Sequence, residues 1–172
     1  IVHLPELSSN YRKELNIPEN AFVLGRLGGI DTFDLPFLKE TILNALEERQ
    51  DLYFIFSICP EILRNINHPR IIKIQSFSDL RIKRKFINTC NSMIHGSSLG
   101  ESFGLSIQEF RFCNKPVLTF SGKSNQLTTL SGSACVHNQH LDYLENENDV
   151  NKLLFYNSKE SLLNLLLNLN TE

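Results

Sequence analysis

The residues best suited to chemistry lie in one run, Gly100-Glu101-Ser102-Phe103-Gly104-Leu105-Ser106-Ile107-Gln108-Glu109-Phe110. It follows a brief strand ending near His95, and a helix is predicted to begin at about Gly104. The first N–H groups of a helix have no intrahelical partner and lie at the positive end of its dipole, so they suit a diphosphate. Glu101, just outside the helix, is a poor neighbour for phosphate and a good acceptor for sugar hydroxyls. Glu109 shares a helical face with Leu105 and Phe112, an otherwise apolar stripe, and its side chain leans back toward the helix start. A buried carboxylate without a partner is costly, and a ribose diol would satisfy it. The structural alternative is a Glu101 that caps the helix and a Glu109 paired with Arg111, Lys115 or another base.

A second segment, Gly25-Arg26-Leu27-Gly28-Gly29 followed by Asp31, Phe33 and Asp34, has the makings of a phosphate loop. Gly28 and Gly29 let backbone approach a bound group closely, and Arg26 could neutralise phosphate with a fork of donors. A plain turn with a solvated arginine fits the same residues. The dinucleotide fingerprint GxGxxG and the P-loop GxxxxGK[ST] are both absent. His95 could donate to a sugar or phosphate oxygen, or serve as a satisfied structural histidine. Ser121-Gly122-Lys123-Ser124 reads as a strand-to-helix turn, with Lys123 a possible phosphate contact. The basic run Arg81, Lys83, Arg84 and Lys85 reads as the solvated face of one helix. His3, His68, His137 and His140 show no ligand spacing.

The elements that must position these residues alternate along the chain. Strands are predicted at Ala21–Leu27, Leu52–Ile58, Arg70–Ile74, Ser92–His95, Pro116–Phe120, Ala134–Val136 and Leu153–Tyr156. Between them, Asp34 could cap a helix running through Arg49, with Pro36 in its first turn and Phe37, Leu38, Ile42, Ala45 and Leu46 on its apolar face. A short helix follows Pro60, and others cover Asp79–Asn88, Gly104–Cys113 and Lys159–Leu169. This rhythm predicts an α/β fold, a Rossmann-like, doubly wound and mostly parallel sheet. In such sheets ligands bind beyond the carboxyl ends of the strands, where the strand order reverses. Residues 1–19, with Pro5 and Pro18, read as a linker, and 20–172 as the domain.

The chain has 172 residues, 41% hydrophobic and 21% charged, with a net charge of -2. That fits one soluble domain and argues against a nucleic-acid binder, which would carry a basic stripe. No apolar run is long enough to span a membrane, and no signal peptide is evident. The start at Ile1, with Met93 the sole methionine, suggests a domain from a longer polypeptide. Cys59, Cys90, Cys113 and Cys135 are widely spaced, so reduced, mostly buried thiols in a cytoplasmic protein are expected.

Glu101 and Glu109, with seven residues between them in ESFGLSIQE, resemble the EX7E motif of family-4 retaining glycosyltransferases. SMIH before it and NKPVLTFSG after it match that setting, as do Gly25-Arg26 at a strand end and the leader YRKELNIPENAFVLGR. The resemblance covers about residues 11–130. It implies the C-terminal, donor-binding half of a GT-B fold, in which two Rossmann-like domains enclose the active site. It also implies that Glu109 binds the nucleotide ribose and Glu101, as the catalytic carboxylate, the donor sugar. Amides near Ser102, Phe103, Gly104 and Leu105, with Arg26, Gly28 and Gly29, would hold the diphosphate. His95 and Ser97 would add sugar contacts, and the base would lie near Gln75–Leu80.

Three departures stand out. Thr32 occupies the place of a lysine usual six residues after the arginine, Phe110 replaces an alanine, and GGIDTFDLPF replaces a lysine-glycine opening. The function implied is transfer of a sugar from a nucleoside-diphosphate sugar to an acceptor with retention, needing no cofactor and no metal. The partner would be an N-terminal acceptor domain of the same polypeptide, and this part alone would not transfer. A non-catalytic nucleotide-sugar-binding module and a GT-B sugar-nucleotide epimerase are the alternatives.

Overall fold

The computed structural model describes residues 3–100, 104–121 and 153–170. Its strands are β1 (Phe22–Leu27), β2 (Leu52–Ser57), β3 (Ile71–Ile74), β4 (Ser92–Ile94), β5 (Val117–Phe120) and β6 (Leu153–Tyr156). Its α-helices, among the described residues, are α1 (Leu38–Glu48), α2 (Leu80–Thr89), α3 (Leu105–Phe112) and α4 (Lys159–Asn168). A short 3₁₀ turn at Glu61–Leu63 follows Pro60. The strands form one sheet in the order β3-β2-β1-β4-β5-β6, and every pairing is parallel. This is the doubly wound, Rossmann-like order, whose direction reverses between β1 and β4.

Alternation along β1 shows why helices cover both faces, since successive side chains point to opposite sides. Phe22 and Leu24 join one core with Leu38, Ile42, Ala45 and Leu46 of α1 and Leu162 and Leu166 of α4. Val23 joins the other with Phe86 and Ile87 of α2 and Ile107 and Phe110 of α3. On that second face Phe86 and Phe110 meet edge to face, with centroids 6.4 Å apart. Gly25 makes the approach possible. A Cβ there would fall 2.3 Å from Cys90 Sγ and 3.2 Å from Phe110 Cζ.

The leader read as a linker packs onto the second core through Leu4 and Ile17, both buried. Arg12 donates to the carbonyls of Pro18, Glu19 and Ala21 at 3.0–3.1 Å and to Asn91 Oδ1 at 2.7 Å. Two predicted boundaries move for physical reasons. β2 stops at Ser57 because Ile58 turns to a φ of 63°. α1 begins at Leu38 with Phe37 at its N-cap, so Asp34 does not cap it. The strand anticipated at Ala134–Val136 lies outside the described residues. Among the described residues no helix is long and apolar enough to cross a membrane.

Candidate functional site

Two loops leave the sheet from adjacent strands at the reversal of strand order, one after β1 and one after β4. Residues 28–37 form the first. At its root Arg26 is buried, 2% exposed. Its Nη1 donates to the carbonyls of Gly28 at 3.4 Å and Ile58 at 3.3 Å. Its Nη2 donates to the Gly29 carbonyl and to Thr32 Oγ1, the latter at 2.6 Å. The guanidinium also lies 5.4 Å from the centre of the Phe33 ring. A Cβ on Gly28 would come within 2.8 Å of Arg26 Nη2 and 2.9 Å of Thr32 Oγ1, so a larger residue there would displace the guanidinium or the hydroxyl from this arrangement. Thr32, standing where the resemblance leads one to expect lysine, is a hydrogen-bond partner of Arg26. The solvated-turn reading of Arg26 does not hold: its charge sits beneath the loop.

The second loop starts at His95 and is described to Gly100, and the first is tied to it. Phe33 and Gly96 pair as an isolated parallel bridge, and Asp34 N donates to the Gly96 carbonyl at 3.2 Å. The Asp34 carboxylate accepts from Ser98 N at 2.7 Å and from Ser98 Oγ. His95 is buried, with Nδ1 3.1 Å from Thr119 Oγ1. Its carbonyl accepts from Tyr156 Oη at 2.6 Å. Burial pushes the Tyr156 phenol above its ordinary range, which keeps it a neutral donor. Ser97 is buried and donates from Oγ to the Gly100 carbonyl at 3.3 Å.

Gly104 stands at the N-cap of α3 in the left-handed region with φ 68°. Leu105 opens the helix at the crevice end and is 48% exposed. Glu101, Ser102 and Phe103 lie outside the described residues, as do Gly122, Lys123 and Ser124 of the later turn.

Glu109, one turn further along α3, is 3% exposed. It does not lie in a buried Leu105/Phe112 stripe, because those two side chains are 48% and 58% exposed and Ile107 and Phe110 carry the packing. The cover over Glu109 comes from α2. Lys83 Nζ reaches its Oε1 at 2.8 Å. The pair is lopsided, since the lysine side chain is 20% exposed and the carboxylate 3%. The base beside Glu109 is therefore Lys83, and not Arg111 or Lys115. The run read as a solvated face also needs correcting. Arg84 donates to Cys113 Sγ at 3.0 Å and to Asn88 Oδ1 at 3.1 Å, and Lys85 pairs with Glu14 at 2.5 Å. α2 is aimed by Asp79, whose carboxylate caps it by accepting from Arg81 N at 2.7 Å.

Arg26, Gly28, Gly29, His95, Ser97, Gly104 and Leu105 thus gather at one end of the sheet, with Glu109 and Lys83 on the α2–α3 flank. The arrangement offers glycine backbone, the first amides of a helix, and a buried carboxylate whose Oε1 accepts from Lys83. Lys83 and the Asp34–Ser98 contact were not anticipated. The only sequence signal for the second was an acid inside a glycine-rich loop.

The sequence matches no family model and no curated protein. Among solved structures the chain is similar to WaaG, a glycosyltransferase involved in lipopolysaccharide biosynthesis, at 16% identity and a TM-score of 0.58 over 91% of this chain and 40% of that one. It is similar to HepE of Anabaena in complex with UDP, at 18% identity and a TM-score of 0.57 over 90% of this chain and 40% of that one. HepE in complex with UDP and glucose gives a TM-score of 0.52 at the same identity and coverage, 18%, 90% and 40%. The chain has the Rossmann-like fold found in GT-B glycosyltransferases. It spans 40% of the length of each of these structures.

Proposed function

We propose that this chain is the donor-binding domain of a retaining glycosyltransferase that moves a sugar from a nucleoside-diphosphate sugar to an acceptor. The observation that carries the reading is the buried Glu109 carboxylate on the helix that opens at the strand-order reversal. UDP bound to HepE, a protein of like fold, supports it. In this reading the ribose diol donates to Glu109, and the diphosphate lies over the first amides of α3 and the Gly28-Gly29 backbone. Preorganised amides stabilise charge on a leaving diphosphate without reorganising. Arg26 adds positive charge from below the loop. Glu101 meets the donor sugar, a role that rests on the EX7E resemblance, with His95 and Ser97 beside it. No metal or cofactor is required.

The acceptor side belongs, in this reading, to an N-terminal domain of the same polypeptide in the cytoplasm. Donor binding is then the task of this chain, and transfer needs both halves of the cleft. A second reading, a binding module without transfer, is favoured by the bond between Thr32 and Arg26, which ties the arginine into its own loop.

Calorimetry against UDP, GDP and ADP sugars, with and without EDTA, tests the proposal. Binding is expected in EDTA, and Glu109→Ala should weaken it by about 1–3 kcal/mol through lost hydrogen bonds. Strict dependence on a divalent ion, or equal binding by folded Glu109→Ala, would sink the reading. Slow hydrolysis of the bound donor would favour the enzyme over the module.

A further inference from the structure

Lys83 has no role in the reading so far, although it touches the residue that carries that reading. Among the described residues it is the one hydrogen-bond partner of the Glu109 carboxylate, and it takes Oε1. A lysine ammonium is a point donor, whereas a guanidinium engages both oxygens of a carboxylate at once. Lysine therefore neutralises Glu109 and fixes its rotamer while leaving Oε2 to accept from something else. The side chain comes from the first turn of α2, and the Lys83 N–H donates to the Asp79 carbonyl at 2.9 Å. It thus lies one turn into the helix that follows the segment Gln75–Asp79.

We infer that Lys83 is the positioning residue for ribose recognition: it holds the Glu109 carboxylate by Oε1, with Oε2 presented to the ribose diol. The inference rests on the proposed donor-binding role and adds a residue to it. Arg81, Arg84 and Lys85 on α2, with Asp79 and Cys90 at its ends, and Arg111 on α3, with Cys113 at its C-cap, are the other charged or titratable groups of these two helices. Among the described residues none of them bonds to the carboxylate.

The test compares UDP with 2′,3′-dideoxy-UDP by calorimetry on this chain; if GDP or ADP binds more tightly, the matching pair is used. The wild type should prefer the ribonucleotide by about tenfold or more, the worth of a hydrogen bond to a charged acceptor. Lys83→Arg keeps the charge and the fold but occupies both carboxylate oxygens, so its preference should fall to within about twofold of none. Lys83→Met should lose the preference as well, with circular dichroism reporting its fold. A folded Lys83→Arg that keeps the full wild-type preference overturns the inference and leaves the donor-binding reading intact. A wild type with no preference, or with no nucleotide binding at all, overturns the donor-binding reading and the inference with it.

Discussion

Arg26 and Glu109 are both charged, both buried and both held by groups of this chain. Taking away the arginine would remove the donor that the carbonyls of Gly28 and Ile58 share. A buried acceptor left unmatched costs about 1–3 kcal/mol. Arg26→Met should therefore lose about 1–3 kcal/mol of stability with no nucleotide present, read as a lower urea midpoint at unchanged slope. A side chain kept only for a ligand would show no loss, so stability at or above wild type would refute its role in ordering the loop. Much of this residue-level picture was legible, including the carboxylate on α3 and the departure at Thr32. Its partners were not. Lys83 lies 26 residues from Glu109 in sequence, and nothing in a row of basic residues says which one folds inward. Only the packing of α2 on α3 decides that.

Between elements, the contact that shapes the crevice is Asp34 with Ser98. It spans 64 residues of sequence and locks the loop after β1 to the loop after β4. The sequence Asp-Leu-Pro has the form of a helix start, which is why Asp34 was expected to cap α1. The helix instead starts at Leu38, and the free carboxylate turns to the neighbouring loop. The strands were easier to read, because runs such as Leu52–Ser57 are apolar on both faces and must lie inside a covered sheet. Loop-to-loop pairing has no periodicity and leaves no such trace. Asp34→Ala removes two bonds to a carboxylate, one of them from the Ser98 amide. Faster hydrogen exchange at Ser98 is expected, with about 1–3 kcal/mol lower stability. Unchanged protection of that amide would mean that the bridge between Phe33 and Gly96 holds the loops by itself.

Across the whole molecule, the alternation of strands and helices foretold a doubly wound sheet, but not what fastens its two ends. One such fastening is the pair Arg49–Asp51, 2.9 Å apart at the turn between α1 and β2. The same guanidinium donates to the Leu166 carbonyl of α4 at 2.8 Å and lies 4.9 Å from the centre of the Phe22 ring in β1. Two helices and two strands therefore share one charge. The hydrogen bond from Arg49 is the main cause that holds the Asp51 carboxyl below its ordinary 3.8. Unfolding returns that group to 3.8, so just below this pH the unfolded chain binds more protons than the folded one. Stability from the pair is thus complete above 3.8 and lost as pH falls through the lower folded value. Asp51→Asn should unfold at lower urea than wild type at neutral pH, and the gap should narrow as the solution is acidified below 3.8. Because the aspartate is 44% exposed, solvent screens the pair and the neutral-pH gap should be modest. A gap that stays constant across the titration would trace to packing at the turn, and the charge would have no part in tying α4 to the sheet.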